Sequence, residues 1–199
     1  FVTKLNSSGA HQWTTTYGHN EATNDIAYGA TVDGSGNVYT TGYFTGTVDF
    51  GAGNVTSAGS LDVFVTKLNS SGAHQWTTTL GGASTDSGYG VAVDGSGNVY
   101  VTGIFAGTVD FGAGNVTSAG SSDSFVTKLN SSGAHQWTTT FGGTGTDYGR
   151  GVAVDGSGNV HVTGNFNNTV DFGAGNVTSA GSYDSFVTKL NSSGAHQWT

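Results

Sequence analysis

The chain has 199 residues, with 35 glycines, no proline, cysteine or methionine, and a formal net charge of -8 from 13 acidic and 5 basic residues. Without cysteine there is no disulfide framework, zinc knuckle or thiol nucleophile, and so few bases argue against nucleic acid or an anionic membrane as partner. No run of 18 apolar residues is present to insert into a bilayer, and an aromatic content of 12% does not suit a disordered chain.

The chain opens on the string FVTKLNSSGAHQWT at Phe1. The string recurs at Phe64, Phe125 and Phe186, at spacings of 63, 61 and 61 residues. The longer first spacing comes from two extra residues in the stretch His19 to Asn24. Next in chain order comes VDGSGNV, at Val32, Val93 and Val154. TVDFGAGNVTSAGS follows it, at Thr47, Thr108 and Thr169. Repetition at this period marks an array of one supersecondary unit.

The second copy shows the unit. Strand A is predicted over Gly90 to Asp94, turned by Gly95-Ser96-Gly97. Strand B runs from Asn98 to about Phe105. A connection over Ala106 to Ser122 follows, in which Val109 to Phe111 extends or bulges strand B. Strand C is Phe125 to Asn130, and strand D is His135 to Thr140 after the turn Ser131-Ser132-Gly133. Glycine-rich turns between alternating runs are hairpin signals. Four short antiparallel strands per repeat describe one blade of a β-propeller, whose two faces are buried by the neighbouring blades. The expected fold is therefore all-β: tandem four-stranded antiparallel blades, about three and a half of them, not closed by this chain alone. Residues 1–16 form the C–D hairpin of an incomplete blade. Blade 1 covers 17–79, blade 2 covers 80–140 and blade 3 covers 141–199. The missing A–B partner of the first hairpin is expected from further blades of a longer chain or from self-association.

In the order of their blocks, DxGxGVAVDGSGNVYVTG, TVDFGAG, TSAG, DSFVTKL and SSGAHQW, the repeats resemble the SBBP repeat, a bacterial β-propeller repeat. The first copy departs from it at Tyr28-Gly29-Ala30-Thr31 and in the loop before. The resemblance covers nearly the whole chain. It implies a propeller, often seven-bladed, in a secreted or cell-surface protein. It brings no shared catalytic motif.

Where copies differ, a function has room to sit. The A–B and C–D turns are invariant. Variation falls mostly in the D–A and B–C loops and the strand ends beside them, which alternation of antiparallel strands puts on one face. Loops on one face are where repeat proteins bind. The candidate binding residues are Tyr28, Tyr43, Tyr89, Tyr148, Arg150, His161, Asn165 and Tyr183, suited to a protein or glycan partner. Recurring acids flank each B–C connection. Asp49, Asp62, Asp110, Asp123, Asp171 and Asp184 are candidate calcium ligands, but no D-x-D-x-D-G cluster accompanies them, and turn formation by Asp is the competing reading. Calcium is the one cofactor entertained. His11, His74, His135 and His196 each stand two residues before a tryptophan, which suits packing. No residue is placed as a general base or nucleophile. The expectation is a noncatalytic extracellular or cell-surface scaffold or binding module. A fibre subunit assembled through repeat edges is the alternative, and an enzyme on a propeller scaffold the third reading.

Overall fold

The computed structural model describes residues 1–18 and 24–199. Most of the extended first D–A loop therefore lies outside the described residues. The chain begins with a hairpin of β1 (Val2–Leu5) and β2 (His11–Thr15). Blade 1 follows with β3 (Ile26–Val32) and β4 (Val38–Phe44). Next comes a short hairpin of β5 (Thr47–Asp49) and β6 (Asn54–Thr56), and then β7 (Asp62–Leu68) and β8 (His74–Gly82). Blade 2 repeats the order with β9 (Ser87–Val93), β10 (Val99–Phe105), β11 (Thr108–Asp110), β12 (Asn115–Thr117), β13 (Asp123–Leu129) and β14 (His135–Phe141). Blade 3 has β15 (Tyr148–Val154), β16 (Val160–Phe166), β17 (Thr169–Asp171), β18 (Asn176–Thr178), β19 (Asp184–Leu190) and β20 (His196–Trp198).

Each blade is an antiparallel sheet in sequential order, β3-β4-β7-β8, β9-β10-β13-β14 and β15-β16-β19-β20. These are tandem propeller-type blades that do not close a ring within this chain. The B–C connection differs from the sequence expectation. Val109 and Asp110 do not extend strand B. They form a separate hairpin, with Val109 opposite Val116, after a break at Gly107, whose φ is +67°. This hairpin leaves its own blade and adds to the strand D before it, pairing Val109 with Gly82 and Asp110 with Gly81. One six-stranded sheet thus joins blade 1 to the hairpin of blade 2.

The cores lie between blades rather than within them. Tyr39, Val63 and Val65 of blade 1 pack with Val99, Val101 and Phe125 of blade 2, all with side chains out of water. Val126 and Phe141 of blade 2 meet Val160, Phe166 and Phe186 of blade 3 in the same way. Strand C is therefore buried on both faces in blade 2, which explains a run such as Phe125-Val126 in place of strict alternation. Each short hairpin adds a phenylalanine. Phe111 meets Phe105 edge-on with centroids 5.4 Å apart and Phe125 at 5.1 Å.

The outer edge is fastened by a repeated clip. Trp13 Nε1 donates to the Ser70 carbonyl at 3.2 Å, Trp76 Nε1 to that of Ser131 at 3.1 Å, and Trp137 Nε1 to that of Ser192 at 3.1 Å. Two residues further on, the hydroxyls of Thr15, Thr78 and Thr139 donate to the carbonyls of Gly72, Gly133 and Gly194. The C–D turn of each blade thus seats on strand D of the one before. A Cβ at Gly133 would stand 2.9 Å from the Trp76 ring, so the turn needs glycine for this approach as well as for its φ of +84°. The invariance of the C–D hairpins follows from this contact. Each histidine of the His-x-Trp pair bonds a threonine, as His135 Nε2 does Thr138 Oγ1 at 3.0 Å. Trp76→Phe keeps a six-membered aromatic ring but removes the pyrrole half of the indole and the donor with it. It is expected to cost about 1 kcal/mol, read as a lower urea midpoint with unchanged β-sheet circular dichroism.

Candidate functional site

The inner strand of every blade carries a β-bulge in the same place. In β3 the pairing with β4 shifts between Ala27 and Gly29, so Tyr28 has no partner in the ladder. In β9 the shift passes over Tyr89, since Thr102 pairs with Gly90 and Gly103 with Gly88. In β15 it passes over Arg150, between Gly149 and Gly151. A bulge bends its strand and re-aims one side chain. The glycine opposite each bulge makes room for it. A Cβ at Gly42, Gly103 or Gly164 would lie 1.8 Å, 1.9 Å or 1.8 Å from the carbonyl oxygen of Ile26, Ser87 or Tyr148.

The bulged residues join Tyr43, Tyr148 and Tyr183 in one continuous strip across the three blades. Tyr28 meets Tyr43 at 5.9 Å between centroids and Tyr89 at 5.1 Å, the latter edge-on. Tyr89 meets Tyr148 at 6.4 Å, and Tyr148 meets Tyr183 at 6.1 Å. The Arg150 guanidinium lies 4.9 Å from the Tyr89 centroid and 4.1 Å from that of Tyr148, within cation–π range. Its Nε donates to Asn165 Oδ1 at 3.3 Å. Tyr28 and Tyr183 remain 52% and 48% exposed. Burial pushes the Tyr89 and Tyr43 phenols up from their ordinary range. The arrangement offers ring faces, hydroxyls and one held guanidinium to a ligand.

Seven of the eight residues singled out from sequence meet here. His161 does not. It lies two residues past the A–B turn Asp155–Asn159, at the other end of the blade. Its Nε2 stands 3.7 Å from Asp155 Oδ2, and its ring 6.0 Å from that of Trp198. It replaces the buried Tyr39 and Tyr100, whose hydroxyls donate to Asp33 and Asp94, each at 3.0 Å. Position 161 is a post for the A–B turn, so its variability reports packing.

The acids at the B–C connections act on different turns. Asp49, Asp110 and Asp171 each accept two backbone N–H groups through Oδ1, as Asp110 does from Gly112 at 2.7 Å and Gly114 at 3.0 Å. Asp62, Asp123 and Asp184 accept from Ala58, Ala119 and Ala180. Among the described residues no group of three or more His, Asp or Glu is placed to hold a metal ion.

Sequence reasoning passed over the pairing of Asp62 with Asp86. Asp86 is buried, and both its oxygens accept backbone N–H groups, Gly82 at 2.8 Å and Ala106 at 3.0 Å. It fastens the end of β8 to blade 2. Burial pushes its carboxyl up to about 6, with the nearby Asp62 adding to the rise. Asp62 lies against Gly81, where a Cβ would be 2.4 Å from its Cγ, and its Oδ1 is buried without a partner. Asp147 and Asp123 repeat this arrangement one blade on.

Fold and strip together define a repeat scaffold of propeller-type blades. Residues 75–103 and 136–169 match the family model of the SBBP repeat, described as a beta-propeller repeat. Over these two stretches the chain is similar to the SBBP repeat. The chain is also 28% identical over 131 residues to an uncharacterized WD repeat-containing protein of Acanthamoeba polyphaga mimivirus. That match takes in 57% of this chain and 9% of the relative, so the chain spans less than a tenth of the relative's length.

Proposed function

We propose that the chain is a noncatalytic binding scaffold, acting outside the cell or at its surface, which holds a protein or glycan partner along the tyrosine strip. The observation that carries this reading is the strip itself. Tyr43, Tyr28, Tyr89, Tyr148 and Tyr183 come from three successive blades and form one run of ring contacts, with Arg150 laid over its centre. Rings held against one another on a rigid array lose little freedom on binding, and tyrosine offers both an apolar face and a hydroxyl. Contacts on successive blades add, so an extended ligand gains from bridging them. The extracellular setting rests on the SBBP resemblance.

The test is a screen of the intact chain against immobilised glycans and extended peptides. It is followed by the combined substitution of Tyr28, Tyr89 and Tyr183 by alanine. Affinity for whatever the screen retains is expected to fall by about tenfold or more. Tm is expected to fall only a few degrees, because two of the three rings are half-exposed. Unchanged affinity in the triple variant would sink the reading. Collapse of the fold would recast these tyrosines as core.

A further inference from the structure

The bulge carries a different chemistry in blade 3. Blades 1 and 2 place Tyr28 and Tyr89 there, and blade 3 places Arg150, the one arginine of the chain. The cross-strand pair beside the bulge changes with it. That pair is Ile26 with Tyr43 in blade 1, Ser87 with Ile104 in blade 2 and Tyr148 with Asn165 in blade 3. In blade 2 the pair offers no ring, and Ile104 has no atom to accept a hydrogen bond. In blade 3 it supplies both. The Tyr148 ring lies 4.1 Å from the guanidinium carbon, with Tyr89 at 4.9 Å. Asn165 Oδ1 accepts from Nε at 3.3 Å. Residues 148, 150 and 165 together form a mount for a guanidinium at the joint between blades 2 and 3.

The mount leaves the useful part of the arginine free. Stacking occupies the faces of the guanidinium, whereas its donors point outward in its plane. Nε is committed to Asn165, and the two Nη groups make no hydrogen bond to a described residue. Among the described residues no carboxylate lies within ion-pair distance of Arg150, which is exposed. Two parallel Nη donors are the fork that meets a carboxylate bidentately. The long side chain is already ordered, so a carboxylate meets it without that entropic cost. Two further features narrow the ligand. A net charge of -8 repels a densely charged polyanion, so the carboxylates have to be spaced by neutral units. The bulges break the regular backbone pattern beside the strip, which deprives an extended peptide of the main-chain bonds by which strands add to a sheet edge. A sugar needs no such ladder. Its C–H face lies on a tyrosine ring, and the hydroxyls at its rim reach phenols.

We infer that Arg150, mounted on Tyr148 and Asn165, is a carboxylate subsite, and that the ligand of the strip is a glycan carrying spaced sugar acids. The inference rests on the strip being the binding site. The test measures the intact chain against hyaluronan, oligogalacturonate and alginate oligosaccharides, each beside its carboxyl-reduced neutral form. At least one acid is expected to bind about tenfold tighter than its reduced partner, with the ratio shrinking as sodium chloride is raised. Arg150→Tyr installs the residue that blades 1 and 2 carry, and Arg150→Gln keeps an amide without the charge. Both are expected to bring the ratio close to one. Equal binding of acid and reduced forms to wild type would overturn the inference, as would no binding of any acid or a ratio that survives both variants. Retention of acidic peptides in place of the sugar acids would overturn the assignment to a glycan. The tyrosine triple variant separates the two readings. If it loses acidic and neutral binding alike while wild type shows no preference, the carboxylate subsite alone fails. If it binds as wild type does, the strip itself fails as the site.

Discussion

Gly103→Ala is expected to destabilise the chain by roughly 3 kcal/mol, a fall in Tm of about 6–12 °C for an array of this size. The added Cβ would lie 1.9 Å from the Ser87 carbonyl oxygen and 2.9 Å from Phe125 Cε1. The first contact is with backbone, which cannot swing aside. The second is with a ring held at 0% exposure between Phe111 and strand B. Relief requires undoing the bulge at Tyr89. A one-residue slip of β9 would then turn its side chains to the opposite face. The variant should therefore lose the Tyr28–Tyr89 contact along with stability, visible in the near-ultraviolet tyrosine signal. Gly95→Ala is the control: it is a glycine in the adjacent turn with no atom within 4 Å of the added Cβ, and its Tm should barely move. Equal Tm in both variants would mean that strand B does not bear on the bulge.

Much of the fold was legible because the repeat states it three times, and its C–D hairpin a fourth. Alternating runs broken by Asp-Gly-Ser-Gly and Ser-Ser-Gly fixed the hairpins, and antiparallel order fixed which loops share an end. The shared end then brought Tyr28, Tyr43, Tyr89, Tyr148, Arg150, Asn165 and Tyr183 together. What stayed hidden depends on contacts between repeats. TVDFG alternates like a continuation of strand B, and only the partner at Gly81 and Gly82 of another blade shows it to be a separate hairpin. The bulges leave no mark on a hydrophobic pattern, although Gly103 beside Thr102, in the centre of a strand, was a hint of close backbone approach. His161 was misplaced because variability was taken as a sign of the loop face. Its place is fixed instead by counting from the A–B turn.

Thermal stability is expected to peak on the acid side, near pH 4, and to decline as pH rises through about 6. Asp86 sets the sign. Its folded carboxyl titrates at about 6, against 3.8 for an ordinary aspartate. The folded state therefore holds a proton that the unfolded state has released. Stability from this group is fully present below 3.8 and is lost as pH rises through about 6. Asp62, Asp123 and Asp147 are shifted up by burial in the same sense. The turn acids act oppositely. Hydrogen bonds from Asn37 and Tyr39 hold Asp33 down, against the upward pull of its partial burial. Bonds from Asn98 and Tyr100 do the same for Asp94. Their contribution is present above the ordinary carboxylate range and is lost as pH falls below it. The two groups of acids bound the optimum from either side. Asp86→Asn isolates the first, because an amide cannot ionise. Its Tm should be lower at every pH, since the amide offers one acceptor where Gly82 and Ala106 need two. The decline between about pH 4 and pH 7 should also be shallower than in wild type. A wild-type Tm that rises steadily through that interval, and rises equally in Asp86→Asn, would overturn the role given to Asp86.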